Sequence, residues 1–76
     1  MMNFSGALSE LKLGKRVARE GWNGKNMFII LHQGFGSFND TNLEMMPFFA
    51  IKTVNGYFNT WVPSVSDLLA NDWFID

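Results

Sequence analysis

The sequence predicts an α+β fold in which a small antiparallel sheet of four to five strands carries two short helices. Three observations predict it: apolar residues at helical spacing near the N-terminus, two alternating runs around an Asn-Gly pair, and a helix-capping pattern near the C-terminus. No internal repeat or compositional change divides the chain, so residues 1–76 are expected to form a single domain.

The N-terminal segment is predicted to be a helix followed by a short strand. Four apolar residues share one helical face: Phe4, Ala7, Leu8 and Leu11. Ser5 is the expected N-cap, and Gly14 is the expected C-terminal stop. Residues 15–19, with the sequence KRVAR, alternate and therefore predict a strand that points Arg16 outward.

The middle of the chain is predicted to contain a buried strand, a loop and a hairpin. Residues 25–33 are rich in branched and aromatic side chains, which favours a buried strand, and residues 34–45 have the composition of a loop. Residues 48–54 and 57–62 alternate on either side of Asn55-Gly56. This pattern predicts a hairpin with a type I′ turn, in which both turn residues have positive φ angles.

The C-terminal segment is predicted to be a short helix and a terminal strand. Ser64 and Asp67 have the spacing of a capping box, in which Ser64 accepts a backbone amide hydrogen bond and Asp67 reaches back to the N-cap. A helix is expected to continue through residues 68–70. Residues 72–76 are expected to form the last strand of the sheet.

Size and composition favour a homo-oligomer. A chain of 76 residues without cysteine has a small core, and its eight phenylalanines, three tryptophans and one tyrosine exceed what that core needs. A net charge of −1 argues against long nucleic acid as a partner. The longest apolar runs are too short to span a bilayer, so no membrane partner is expected. A single histidine and the absence of cysteine leave no expected metal site, and no cofactor is expected.

The sequence contains only weak candidates for a catalytic site. His32 lies inside an apolar strand rather than between two partners of a nucleophilic triad. Asp67 and Asp72 form a candidate carboxylate pair, but a cap explains the first and a turn explains the second. The glycines of GFG, residues 34–36, lack the strand-to-helix context of a phosphate loop. We therefore do not expect an enzyme.

Aromatic residues beside turns favour a binding module. Trp61 precedes a helix N-terminus, where free backbone amides attract anions, and its ring can stack on a base. Trp61 and Ser64 together therefore resemble one half of a nucleotide-binding site. For Trp61 and for Trp22, the sequence alone does not decide between packing in the core and stacking on a ligand. Phe28 has alternating neighbours and fits either face of its strand, whereas Trp73 is expected in the core.

Three motifs connect the chain with a known family. In order they are F-x-x-A-L-x-x-L-K-x-G-K-x-V-A-R-x-G-W-N-G-K-x-M-F, K-T-x-x-G and W-x-x-S-x-x-D-x-L-A-x-D-W. The chain resembles the small phage-borne family that includes the second type of Thoeris anti-defence proteins. The resemblance implies a non-enzymatic, tetrameric sponge that sequesters cyclic ADP-ribose isomers in the cytoplasm of the infected bacterium. It also implies that cyclic di- or trinucleotides of CBASS immunity are bound by some members at a separate site.

The resemblance also implies a set of ligand-binding residues in a pocket between protomers. Trp22 and Trp61 are expected to stack on the ligand, with Phe28 as an apolar wall. The residues expected to meet ribose hydroxyls or phosphates are Asn23, Gly24, Ser64 and Asp67, with Arg19 or Lys25 balancing the phosphate charge. The competing hypothesis is a structural or protein-inhibiting oligomeric module whose aromatic residues all serve subunit contacts.

Overall fold

The fold is described by a computed structural model that covers residues 1–22, 26–34 and 46–76. Two helices and five strands lie within these ranges, which confirms the predicted α+β class. In chain order they are α1 Phe4–Lys12, β1 Val17–Arg19, β2 Phe28–His32, β3 Phe48–Lys52, β4 Phe58–Thr60, α2 Val65–Leu69 and β5 Trp73–Ile75. The strands form one antiparallel sheet in the order β4-β3-β2-β1-β5.

Helix α1 begins one residue after Asn3, not after Ser5. The Asn3 side chain accepts a hydrogen bond of 3.0 Å from the Gly6 amide, so the prediction of Ser5 as the N-cap is wrong. The predicted stop at Gly14 is confirmed. Gly14 has a φ of 87°, a left-handed conformation that favours glycine, and its amide donates to Leu11 O at 3.0 Å.

Strands β1 and β2 are both shorter than predicted. The Lys15 amide donates to Glu10 O at 3.1 Å and so completes the helix end instead of pairing in the sheet. Asn26 has a φ of 63°, which interrupts extended backbone just before β2. Within β2 only Ile29 is fully buried, because α1 covers one face of the sheet and leaves the other open.

The predicted hairpin forms, but its turn is not of type I′. Gly56 has a φ of 86°, whereas Asn26 is the one described non-glycine residue with a positive φ, so Asn55 does not meet the type I′ requirement. The Thr53 amide donates to Tyr57 O at 2.8 Å, and the Gly56 amide donates to Thr53 O at 3.0 Å. These bonds define a three-residue loop, 54–56, with glycine at its left-handed position. Of the predicted loop 34–45, residues 35–45 lie outside the described residues.

The core lies between α1 and one face of the sheet. Its fully buried residues are Ala7, Leu11, Val17, Ile29 and Trp73. Trp73 is confirmed as a core residue, with 0% of its surface exposed. The opposite face, which we call the open face, carries Ile30, Phe48 and Phe58 and has no described helix packed on it. No helix in the described ranges is long and apolar enough to cross a membrane.

Candidate functional site

The N-terminus of α2 is organised by the predicted capping box. Ser64 Oγ accepts a hydrogen bond of 3.1 Å from the Asp67 amide, and Asp67 Oδ2 accepts one of 3.0 Å from the Ser64 amide. This confirms that Ser64 and Asp67 form a cap. The backbone carbonyl of Asp67 also accepts from Trp73 Nε1 at 3.0 Å, which attaches the short helix to the core.

Asp67 does more than cap the helix. Its Oδ1 accepts from Arg19 Nη1 at 2.9 Å and from Trp22 Nε1 at 3.3 Å. The side chains of Asp67 and Arg19 are only 12% and 18% exposed, so the pair is well shielded from water. The capping carboxylate therefore links α2 to the segment that follows β1.

Asp72 belongs to this site, although from the sequence it was considered only as a carboxylate partner of Asp67 and interpreted as a turn residue. Its Oδ1 accepts from Arg19 Nε at 2.8 Å, and its Oδ2 accepts from the Gly21 amide at 2.8 Å. A turn residue was expected there, but the antiparallel pairing of β1 with β5 brings Asp72 beside Arg19. The sequence signal is weak, since an acidic residue before a terminal strand does not reveal which strand pairs with it. We refer to Arg19, Trp22, Ser64, Asp67 and Asp72 as the Arg19 cluster.

Both carboxylates of the cluster are ionised at neutral pH. Burial raises the pKa of Asp67, but hydrogen bonds from the Ser64 amide, Arg19 and Trp22 outweigh it, and the pKa lies below its ordinary value. For Asp72, the hydrogen bond from Arg19 is the largest cause of a lowered pKa. The guanidinium of Arg19 thus lies between two negative charges.

Trp22 and Trp61 both pack against Trp73. The ring centroids of Trp22 and Trp73 are 5.5 Å apart with an angle of 81° between the planes. Trp61 lies 6.1 Å from Trp73 and 6.0 Å from Phe49, again edge to face. Both tryptophans remain partly exposed at the margin of the core. Each ring is therefore buried in part by core packing, and the exposed part of each ring is available for another contact.

Phe28 lies apart from the Arg19 cluster. It adjoins Ile29 in β2, and because side chains alternate along a strand it points to the open face. There the guanidinium carbon of Arg16 lies 4.4 Å from the ring centroid, and the ring packs against Phe58 at 5.9 Å. The structure does not bring Phe28 into contact with Trp22 or Trp61. Asn23, Gly24 and Lys25 lie outside the described residues.

A cavity of about 510 Å³ opens beside the cluster, and we call it the Trp22 cavity. Arg19 and Trp22 line it, and the other lining residues are Ala18, Glu20, Asn26, Met27, Phe74 and Asp76. Its volume falls within the range of small-molecule sites, about 300–1,000 Å³. Of the predicted site residues, Arg19 and Trp22 therefore line a cavity, whereas Ser64 and Asp67 do not. Asp67 contacts the cavity wall through its hydrogen bonds with Arg19 and Trp22.

A second hollow lies on the open face and is more apolar. It has a volume of about 410 Å³, and its lining residues are Ile30, His32, Phe48, Ala50, Phe58, Asn59 and Thr60. The His32 and Phe48 rings stack here at 4.9 Å, and His32 Nδ1 accepts from the Gly34 amide at 3.0 Å. Across the described ranges, no three histidine, aspartate or glutamate side chains are grouped as metal ligands would be.

An α+β protein with a ligand-sized cavity beside an Arg-carboxylate cluster is consistent with a small binding module. Residues 2–75 match the family model of the Thoeris anti-defense 2-like domain, and the chain belongs to this family. It is similar to Thoeris anti-defense 2 of Bacillus phage SP01, with 42% identity over 85 aligned positions that cover 97% of this chain and 93% of the relative. Membership of this family supports an anti-defense role.

Proposed function

We propose that the protein is a non-enzymatic sponge that binds cyclic ADP-ribose isomers made by Thoeris immunity and so prevents activation of the effector. The observation that carries the proposal is the meeting of two distant motifs in one hydrogen-bonded cluster beside a cavity, in a chain of the Thoeris anti-defense 2-like family. Arg19 and Trp22 come from the first motif, and Asp67 and Asp72 come from the last. We place this activity in the cytoplasm of the infected bacterium.

Trp22 is the stacking ring in this proposal. Its indole packs against Trp73, donates from Nε1 to Asp67, and lines the Trp22 cavity. Stacking of a base on a fixed ring contributes about 1–3 kcal/mol. Asn23 and Gly24 follow Trp22 directly in the chain and are proposed to supply polar contacts to ribose or phosphate.

Enclosure between subunits completes the proposed site. Sequestration at about nanomolar Kd requires about −12 kcal/mol, which one or two stacked rings do not supply. Charge-assisted hydrogen bonds and a second subunit that covers the cavity would contribute the remainder. Trp61 and Phe28 do not line the Trp22 cavity of their own chain. They are proposed to meet the ligand across such a subunit contact, Trp61 as a second stacking ring and Phe28 as an apolar wall. We propose a tetramer.

The electrostatics of the cluster favour binding over catalysis. Asp67 and Asp72 accept hydrogen bonds from Arg19, and both have a lowered pKa. A general acid at neutral pH needs a raised pKa instead. A carboxylate whose oxygens already accept hydrogen bonds is also a poor general base. The cluster is therefore suited to hold a rigid binding surface.

The test is recovery of an intact ligand. The protein is incubated with the purified product of a Thoeris sensor, passed through a filter, and the retained fraction is heated to release what it bound. We expect the released material to activate the effector again. Loss of the signal with a new product in the filtrate would indicate an enzyme, and free passage of an unchanged signal would exclude sequestration.

A structural or protein-inhibiting module is the competing candidate, and the partial burial of Trp22 and Trp61 against Trp73 favours it. On this hypothesis Trp22→Ala lowers assembly or stability, and no sensor product binds the wild-type protein. On the sponge hypothesis the same substitution weakens binding of the sensor product by about 1–3 kcal/mol, the contribution of one stacked base. Thermal shift with and without that product separates the two hypotheses, because a ligand that binds only the native state raises Tm.

We also propose that cyclic di- or trinucleotides of CBASS immunity bind at a separate site. The hollow on the open face supports this, since it lies away from Trp22 and has ligand-sized volume. A cyclic dinucleotide should then bind without displacing the Thoeris sensor product. Trp22→Ala should leave the affinity for the cyclic dinucleotide unchanged, and Phe58→Ala should lower it. Competition between the two ligands for one site would contradict the proposal.

A further inference from the structure

We propose that Asp72 is a positioning residue for ligand binding: by holding Arg19 and the Gly21 amide, it fixes the turn that carries Trp22 at the wall of the cavity. The ligand-binding part of this inference rests on the proposed function. The positioning part rests on geometry alone. Asp72 does not line the Trp22 cavity, so its effect on a ligand must act through the residues that it holds.

Three hydrogen bonds join the end of β1 and the turn that follows it to Asp72. Its Oδ1 accepts from Arg19 Nε at 2.8 Å, and its Oδ2 accepts from the Gly21 amide at 2.8 Å. Its backbone carbonyl accepts from the Glu20 amide at 3.1 Å. Residues 19, 20 and 21 are therefore each fixed to one aspartate that precedes β5.

The position of Trp22 depends on this segment. The Trp22 amide donates to Arg19 O at 3.3 Å, which closes the turn, and its indole Nε1 donates to Asp67 Oδ1. Arg19 donates to the same Oδ1 while it also donates to Asp72. If Asp72 is removed, Arg19 loses one of its two carboxylate partners and the Gly21 amide loses its acceptor. The turn then has fewer constraints on where it places the Trp22 ring.

Gly21 offers an independent way to disturb the same contact. A Cβ added at Gly21 would lie 2.8 Å from Asp72 Oδ2 and 3.5 Å from Arg19 Nη2. The first distance is too short for a methyl carbon in contact with an oxygen, so Gly21→Ala must displace either the carboxylate or the turn. This variant leaves the charge of Asp72 unchanged.

The ligand-free test uses the indole N–H resonances of the three tryptophans, with Trp22 assigned by its loss in Trp22→Phe. The variants are Asp72→Ala, Asp72→Asn and Gly21→Ala. The matched control is Glu10→Gln, which neutralises the carboxylate of another ion pair, Glu10–Lys15, at the end of α1. We expect the Trp22 resonance to move in Asp72→Ala and Gly21→Ala, to move less in Asp72→Asn, and to stay in place in Glu10→Gln. A Trp22 resonance in the Asp72 variants equal to that of the control would overturn the proposal.

The binding test uses calorimetry with the purified Thoeris sensor product. We expect Asp72→Ala to raise Kd about tenfold, the equivalent of one lost charge-assisted hydrogen bond. In a Trp22→Ala background the same substitution should cause no further rise, because a residue that acts only through Trp22 has nothing left to position. An additional tenfold rise in that background would overturn the proposal, as would an unchanged Kd together with a displaced Trp22 resonance.

The two tests separate this inference from the proposed function. If wild-type protein binds no sensor product while the Trp22 resonance depends on Asp72, the proposed function fails and the control of the turn by Asp72 stands. If Asp72→Ala does not fold, as judged by circular dichroism, Asp72→Asn and Gly21→Ala decide the outcome. A normal Trp22 resonance and a normal Kd in both of these variants would overturn the proposal.

Discussion

Arg19 is the residue around which the site is organised. Its guanidinium donates to Asp67 at 2.9 Å and to Asp72 at 2.8 Å, and one positive charge thereby serves two carboxylates. The planar, forked guanidinium suits this double contact, which a lysine ammonium would not reproduce. Since both acceptors are ionised, the cluster is net negative by one charge. The phosphate charge of a ligand therefore requires cations beyond Arg19.

Asp67→Ala tests the cluster at its most buried position. The substitution removes the acceptor for Arg19, Trp22 and the Ser64 amide, and it leaves a shielded arginine with one partner. We expect the free energy of unfolding to fall by about 3 kcal/mol. Urea denaturation measures it. Ser66→Ala, an exposed position in the same helix, is the control and should change the value by less than about 0.5 kcal/mol.

The pH dependence of stability follows from the lowered pKa values of Asp67 and Asp72. A carboxylate whose pKa is lower in the folded state stabilises the fold above its unfolded pKa, ordinarily 3.8, and loses that contribution as pH falls through the folded pKa. We expect the urea midpoint to be steady above about pH 5 and to drop below about pH 4. Asp72→Asn should flatten this drop. If the urea midpoint of Asp72→Asn falls with pH as steeply as that of the wild type, Asp72 does not contribute to the pH dependence of stability.

At the scale of single elements, local hydrogen bonds decide where each helix and turn begins. Asn3 caps α1 and Ser64 caps α2, in both cases through a side-chain oxygen that accepts a backbone amide. The Thr53–Tyr57 bond and the left-handed Gly56 define the hairpin loop. Each of these caps and the hairpin loop can be disturbed by one substitution outside the core.

Asn3→Ala tests the N-cap of α1. The Gly6 amide would lose its acceptor, and we expect the free energy of unfolding to fall by about 1 kcal/mol. Ser5→Ala is the matched control, because Ser5 lies inside the first turn and not at the cap. Denaturation of the two variants side by side measures the difference. A larger loss in Ser5→Ala than in Asn3→Ala would contradict the observed cap.

Gly56→Ala tests the hairpin loop. A φ of 86° is strained for alanine, so we expect the free energy of unfolding to fall by about 1 kcal/mol even though the added Cβ would meet no neighbour. Asn55→Ala should have a smaller effect, since Asn55 does not adopt a positive φ. Equal losses in both variants would indicate the type I′ turn that the sequence predicted.

At the scale of the whole molecule, the sheet is covered on one side. Helix α1 packs on the face that contains Ile29 and Trp73, and α2 packs against α1. The open face leaves Phe58 54% exposed. An exposed apolar face on so small a chain is consistent with the predicted homo-oligomer.

Light scattering after gel filtration tests the predicted oligomer. We expect a mass of at least two copies of the 8.7 kDa chain, and of four copies if the tetramer is correct. Phe58→Asp should lower the mass if the open face forms a subunit contact, because it would bury an unpaired charge. Tyr57→Asp, at an exposed neighbouring position in the hairpin, is the control. A wild-type mass of one chain would contradict the prediction.

Much of the fold could be predicted from local patterns, but the site could be predicted only in part. The capping box of Ser64 and Asp67, the stop at Gly14 and the burial of Trp73 were all predicted and are all confirmed. The predictions of Ser5 as a cap and of a type I′ turn were wrong, because neighbouring residues offered a better acceptor and a three-residue loop. Asp72 was predicted to be a turn residue only, since its partner lies 53 positions away.

The sequence by itself determined the identity of the elements, because caps, turns and apolar periodicity depend on residues a few positions apart. Only the tertiary structure decided which residues share a site. The pairing of β1 with β5 places Arg19 opposite Trp73 and next to Asp72, and the alternation of β2 turns Phe28 to the open face. The pairing of strands that are distant in the sequence depends on how the whole core packs around Trp73. No local sequence pattern specifies this pairing.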